Sequence, residues 1–188
     1  GPVEPIFDRF ADEWLTCAAL DRKKSMIRTH YMDASAIVKL VVNEDGSAPL
    51  REYVGKQSVF FAFTPCFVEA MSVLKGKRRR GDIGSDDEYH AACEELVALV
   101  RHESLSLEGT IGTAREQFDE AEALARAHTI DLIDAYQLCV VKRGFLSRFN
   151  GTMSAPVLIT ADKGLATAAR ANDIRVWRCD VEPAPQDV

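Results

Sequence analysis

Short apolar segments alternate with segments of helical periodicity along most of the chain. The segment SVFFAF at 58–63 is apolar and aromatic throughout, as in a strand that is buried on both faces. The pattern predicts strands at 29–32, 58–63, 104–107, 155–160 and 174–179. Strands that alternate with helices indicate a single α/β domain with a mostly parallel central sheet flanked by helices.

Helical patterns and start and stop signals fill the intervals between these strands. They predict helices at 35–42, 47–56, 65–80, 85–103, 113–127, 131–148 and 162–172. Thr64 is predicted as an N-cap, with Pro65 at the first helical position and Gly81 as the stop. Ser85, followed three residues later by Glu88, has the pattern of a capping box.

The predicted organisation is one domain over 29–180 with a segment on either side. The segment 1–28 begins with Gly1-Pro2, which resembles a scar of tag removal. An extra helix is predicted over 5–20, where Phe7, Phe10 and Trp14 share one face, and a charged linker follows it. Residues 181–188 form a C-terminal tail. With 188 residues, 47% of them hydrophobic, one sizeable core is expected.

Composition excludes several classes of protein. No apolar run reaches the roughly 18 residues that a membrane span needs, and the start lacks a signal-peptide pattern. The five cysteines form no C-x-x-C pair, so neither a zinc site nor a disulfide framework is indicated. We therefore expect a cytoplasmic protein that does not contact membranes. The net charge of −6 argues against a surface that coats nucleic acid as a whole.

One basic cluster stands out in this acidic chain, within the segment KGKRRRG. Its cations are Lys75, Lys77, Arg78, Arg79 and Arg80. They extend the predicted helix that carries Glu69, and Arg78 lies roughly 13 Å beyond Glu69 at 1.5 Å per residue. The cluster is either an RNA-binding surface that contacts phosphates or a solvated helix end whose cations complement the dipole.

Four acids are predicted at the carboxyl-end side of the sheet, where open parallel sheets bind ligands. Asp33 ends the first strand and Asp162 follows the fourth by two residues. Glu69 and Asp134 lie in the first turns of their helices. Each acid also has a structural interpretation, as a helix cap or as a favourable charge at the positive end of a helix.

Convergence of these acids would require a cation or altered protonation. Two ionised carboxylates about 5 Å apart repel by roughly 3 kcal/mol at an effective dielectric near 20. Such a cluster persists only with raised pKa values or with a bound cation. A set of carboxylate oxygens suits Mg²⁺ or Mn²⁺ rather than Zn²⁺.

Four motifs surround these acids in the order MDASAIVKL, FVEAMSVL, LIDAYQLCVV and LITADKGLATAA. This ordered set, spread over about residues 30–179, resembles the PIN-domain family, and most closely its VapC-type toxin ribonucleases. The resemblance implies a metal-dependent endoribonuclease that uses Mg²⁺ or Mn²⁺. It further implies a cognate antitoxin partner, an RNA substrate and a homodimer.

By the same resemblance, the acidic metal ligands and catalytic residues would be Asp33, Glu69, Asp134 and Asp162. Ser35 and Thr160 would be polar supports that orient carboxylates or waters. Asp131, three residues before Asp134, would be either the helix cap or an outer acid of the site.

The segment 1–28 departs from the compact pattern of the family, in which the first strand begins almost at once. Two other function classes therefore stay open beside the toxin. One is a non-toxin PIN nuclease that acts in RNA processing or on DNA ends. The other is a catalytically inactive module that binds nucleic acid or protein.

Overall fold

The computed structural model of the protein describes residues 29–56, 60–109, 115–144 and 156–185. The predicted helix over 5–20 and the rest of the 1–28 segment lie outside these ranges. The last residues of the predicted tail, 186–188, do as well.

A sheet of five parallel strands forms the centre of the described structure. The strands are β1 (His30–Met32), β2 (Phe60–Phe63), β3 (Ser106–Glu108), β4 (Val157–Thr160) and β5 (Arg175–Arg178). Their spatial order is β3-β2-β1-β4-β5, so the chain builds outward on one side of β1 and then on the other. The order therefore reverses between β1 and β4, and such a switch point opens a crevice at the carboxyl ends of the strands.

Seven helices accompany the sheet within the described ranges. They are α1 (Ala34–Val41), α2 (Ser47–Val54), α3 (Thr64–Arg80), α4 (Asp86–Arg101), α5 (Arg115–His128), α6 (Leu132–Arg143) and α7 (Lys163–Ala171). Gly81 ends α3 in the left-handed conformation at φ 84°, as its stop signal predicted. None of these helices is both long enough and apolar enough to span a membrane.

The core lies between the sheet and the helices that cover it. All residues of β1 and β4 are buried, in agreement with strands covered on both faces. Tyr31 and Leu158 from these strands pack in one cluster with Ile37 of α1 and Leu74 of α3. The predicted fold class is confirmed as a single α/β domain, and the architecture is consistent with a PIN-like domain.

Two predicted helix signals differ in the structure. Thr64 is not an N-cap, because α3 already begins at this residue and its hydroxyl donates to the carbonyl of Glu108 at 3.1 Å. Ser85 does cap α4 by accepting from the N–H of Glu88 at 3.1 Å. The Glu88 carboxylate, however, accepts from the N–H of Gly84 at 2.9 Å instead of closing the box on Ser85.

Candidate functional site

Asp33 lies at the end of β1, in the centre of the sheet, and begins α1. Its buried carboxylate accepts from the hydroxyl of Thr160 at 2.8 Å and from the hydroxyl and N–H of Ser35 at 2.5 and 3.2 Å. Burial raises the pKa of Asp33, although the hydrogen bonds from Ser35 and Thr160 act in the lowering direction. Asp33 is thus both a helix cap and a carboxylate held in one orientation.

Thr160 connects the ends of the two central strands. Its buried hydroxyl donates to Asp33 and accepts from the N–H of Asp162 at 2.9 Å. The Asp162 side chain in turn caps α7 by accepting from the N–H of Leu165 at 2.7 Å. One hydroxyl group therefore positions the segment that carries Asp162 against Asp33.

Asp131 and Asp134 come from the start of α6. Asp131 is the N-cap and accepts from the N–H of Asp134 at 2.8 Å. Asp134 is half-buried in the first turn, and its pKa is raised to about 8. Burial is the largest cause of this shift, and the charges of Asp33, Asp131, Asp162 and Glu69 add to it.

Glu69 faces the same space from α3. Burial raises its pKa first, and the charges of Asp33, Asp131 and Asp162 raise it further. These five acids line one cleft of about 280 Å³, which we call the acidic cleft. The structure therefore brings together the four acids predicted as ligands, with Asp131 as a fifth that is also the helix cap.

The acidic residues and Ser35 that line the cleft carry carboxylate and hydroxyl oxygens, and oxygen ligands are those that Mg²⁺ and Mn²⁺ prefer. Across the four described ranges, no three His, Cys, Asp or Glu side chains are close enough together to hold one ion between them as they stand. Burial is the largest cause of the raised pKa values of Asp134 and Glu69, and a bound cation would relieve the further contribution of the neighbouring carboxylates.

The basic cluster is divided between two sides of α3, which continues through Gly76 to Arg80. Lys77 and Arg80 line the acidic cleft. The other three cations do not line it: Lys75 lies 4.8 Å from the centroid of the Tyr89 ring, Arg78 pairs with Asp86 at 2.8 Å, and Arg79 is exposed. Only two of the five predicted RNA-binding cations thus face the acids.

Two further residues beside the cleft, Lys39 and Glu44, were not predicted from the sequence. The Lys39 ammonium is buried and donates to the Glu44 carboxylate at 2.7 Å and to the carbonyl of Asp45 at 2.8 Å. Glu44 lines the cleft and also binds Lys77. Burial opposes ionisation of Glu44, but the hydrogen bonds and charges of Lys39 and Lys77 outweigh it and lower its pKa. A lysine inside the apolar run AIVKLVV was the available signal for this network.

Comparisons with known proteins give a structural likeness only. No family model matches the chain, and no curated protein matches it. The fold is similar to the crystal structure of PAE2754 from Pyrobaculum aerophilum, with a TM-score of 0.55. The two chains are 18% identical over 84% of this chain and 88% of the other. At this identity the comparison concerns the fold alone.

Proposed function

We propose that this protein is a Mg²⁺- or Mn²⁺-dependent endoribonuclease that hydrolyses phosphodiester bonds of RNA. The observation that carries the proposal is the acidic cleft, in which acids from four parts of the chain converge at the switch point of a parallel sheet. Burial and mutual repulsion raise the pKa values of Asp134 and Glu69, which is a costly arrangement for a purely structural cluster.

Asp33, Glu69, Asp134 and Asp162 are the residues that would hold the cation. When bound, such an ion lowers the pKa of a water molecule and neutralises charge that develops on a phosphoryl group. Ser35 and Thr160 keep Asp33 in one orientation, so its carboxylate does not need to reorganise when substrate binds.

Asp134 has a further property of use in hydrolysis. Its pKa is raised to about 8, so the cleft favours the protonated carboxyl group over the ionised one when no cation is present. A cation in the cleft would favour the ionised form, and Asp134 would then accept hydrogen bonds from water. Binding of a cation would therefore shift Asp134 toward its ionised form.

The four ordered motifs support a more specific role, as the toxin of a type II toxin–antitoxin pair that acts in the cytoplasm as a homodimer with a cognate antitoxin. Expression of the protein in a bacterial host tests this role directly. We expect growth arrest that requires Asp33 and that co-expression of a neighbouring small reading frame relieves. Normal growth together with RNA cleavage in vitro would favour a non-toxin nuclease.

Cleavage of a panel of labelled RNAs tests the nuclease proposal itself. We expect cleavage with Mg²⁺ or Mn²⁺, none in EDTA, and a loss on the order of a hundredfold or more in Asp33→Asn. Asp119→Asn is the matched control, since it removes the same charge from an exposed site on α5. Absence of cleavage with either metal, or full activity of Asp33→Asn, would contradict the proposal.

A further inference from the structure

One face of α3 runs from the acids into the basic cluster. Glu69, Val73, Lys77 and Arg80 all line the acidic cleft and recur every three or four residues, which is the repeat of a single helix face. Lys77 and Arg80 are eight and eleven residues beyond Glu69, or roughly 12 and 16 Å along the helix axis. The cleft therefore has an acidic end and a cationic end on one continuous surface.

The Arg80 side chain turns back along this face. A Cβ atom placed on Gly76 would lie 3.2 Å from Nη1 of Arg80, so the guanidinium lies over the bare backbone of this glycine. Side chains on helices lean toward the N-terminus, which here is the direction of Glu69. Arg80 also pairs with Asp82 at 3.1 Å, but both side chains are about half-exposed and such a pair contributes little.

Lys77 is held more firmly than Arg80. Its ammonium binds the Glu44 carboxylate, whose other oxygen binds the buried Lys39. Two lysines thus share one carboxylate, and the group of three carries one net positive charge. A phosphate that approaches the cleft would compete with Glu44 for Lys77.

We propose that Lys77 and Arg80 form a subsite for a backbone phosphate of the nucleic acid, and that Glu44 limits its affinity by holding Lys77. The subsite rests on the proposed ribonuclease function and names the part of the substrate that this end of the cleft binds. A polyanion needs such cations here, because the acidic end of the cleft repels it. Arg80 can donate two hydrogen bonds to one phosphate, whereas Lys77 contributes a point charge.

Binding without cleavage tests the subsite separately from catalysis. The probe is a fluorescein-labelled single-stranded RNA of mixed sequence, and its anisotropy is measured in EDTA between 25 and about 200 mM salt. We expect Arg80→Ala to weaken binding about tenfold and to reduce the salt slope by about 0.7. Arg79→Ala is the matched control, because this neighbour has the same charge on the same helix but does not line the cleft. We expect it to change affinity less than about threefold.

Glu44→Gln tests the limiting role of the carboxylate. The variant frees Lys77, and we expect it to bind the same RNA about threefold more tightly. Since the change leaves the buried Lys39 without its carboxylate, Lys39→Met/Glu44→Gln serves as a second variant in which neither group is charged. Thermal melting of each variant confirms that it is folded before its affinity is measured.

Equal weakening by Arg80→Ala and Arg79→Ala would overturn the subsite, because binding would then follow net charge alone. Unchanged or weaker affinity in both Glu44 variants would overturn the role of Glu44. Failure of the wild type to bind at low salt would overturn both. A different outcome would separate the two proposals. If the wild type and the variants bind RNA with the expected differences in affinity, but the wild type cleaves no RNA with Mg²⁺ or Mn²⁺, the ribonuclease function is contradicted and the phosphate subsite is retained.

Discussion

The substitution Asp134→Asn removes one charge from the acidic cleft at almost constant side-chain volume. Burial and the surrounding carboxylates raise the pKa of Asp134 from an ordinary 3.8 to about 8. At 1.36 kcal/mol per pH unit, this shift in pKa corresponds to a loss of about 6 kcal/mol in the free energy of unfolding when Asp134 ionises. The side chain is only half-buried, so solvent screening reduces this loss. We expect Asp134→Asn to be more stable than the wild type at high pH by about 2–3 kcal/mol, or roughly half of the full value.

The stability advantage of Asp134→Asn over the wild type should increase with pH. Between pH 3.8 and about 8 the folded protein binds a proton at Asp134 that the unfolded chain has released. The free energy of unfolding of the wild type therefore falls as the pH rises through this window. Asparagine does not ionise, so the free energy of unfolding of Asp134→Asn does not fall in this way. The variant should therefore be as stable as the wild type near pH 4 and more stable than the wild type near pH 8.

Urea denaturation in EDTA at pH 4.5, 6 and 8 measures this difference, with Asp119→Asn as the control for an exposed acid. Addition of Mn²⁺ at pH 8 should remove most of the difference in the free energy of unfolding between the two proteins. An ion present at a hundred times its dissociation constant stabilises the wild type by about 2.7 kcal/mol, and the variant, with one ligand fewer, gains less. Equal stability of wild type and Asp134→Asn at pH 8 in EDTA would refute the inference that burial and the neighbouring carboxylates disfavour the ionised form of Asp134 in the folded protein.

Two other substitutions test the geometry around the cleft. Thr160→Val removes the hydroxyl shared by Asp33 and the N–H of Asp162, and we expect the free energy of unfolding to fall by about 1–3 kcal/mol in urea denaturation. A change below a few tenths of a kcal/mol would show that this hydroxyl is dispensable. Gly76→Ala should raise stability by roughly 0.5–1 kcal/mol, since alanine favours the helix interior and the Arg80 side chain can move. It should also weaken RNA binding in the anisotropy assay, and unchanged affinity would argue against the position of Arg80 over Gly76.

Local signals in the sequence were sufficient to predict the strands and helix starts that lie beside the acidic cleft. Asp33, Asp131 and Asp162 were each predicted as possible helix caps, and each accepts a hydrogen bond from an N–H two or three residues later. Such contacts depend on neighbours in the chain, which the sequence displays directly. The alternation of apolar strands and helices likewise determined the parallel α/β class before any contact was known.

Only the tertiary structure decided what these elements bring together. The hydrogen bond between Asp33 and Thr160 joins residues 127 positions apart, because β1 and β4 happen to be neighbours in the sheet. Glu69 lines the same cleft from the helix that follows β2, the strand on the other side of β1 from β4. Strand order depends on packing over the whole domain, so a single sequence gives the acids but not their convergence.

The basic cluster shows most clearly what the sequence determined and what the tertiary structure determined. Its composition and its place at the end of α3 were visible in the sequence. The helix rotation and the partners on other elements then directed Lys77 and Arg80 into the cleft and Arg78 toward Asp86. The chain by itself determined the charges, since these are properties of residues. The fold determined which charges meet, because that depends on long-range packing that assigns each side chain a neighbour from elsewhere in the chain.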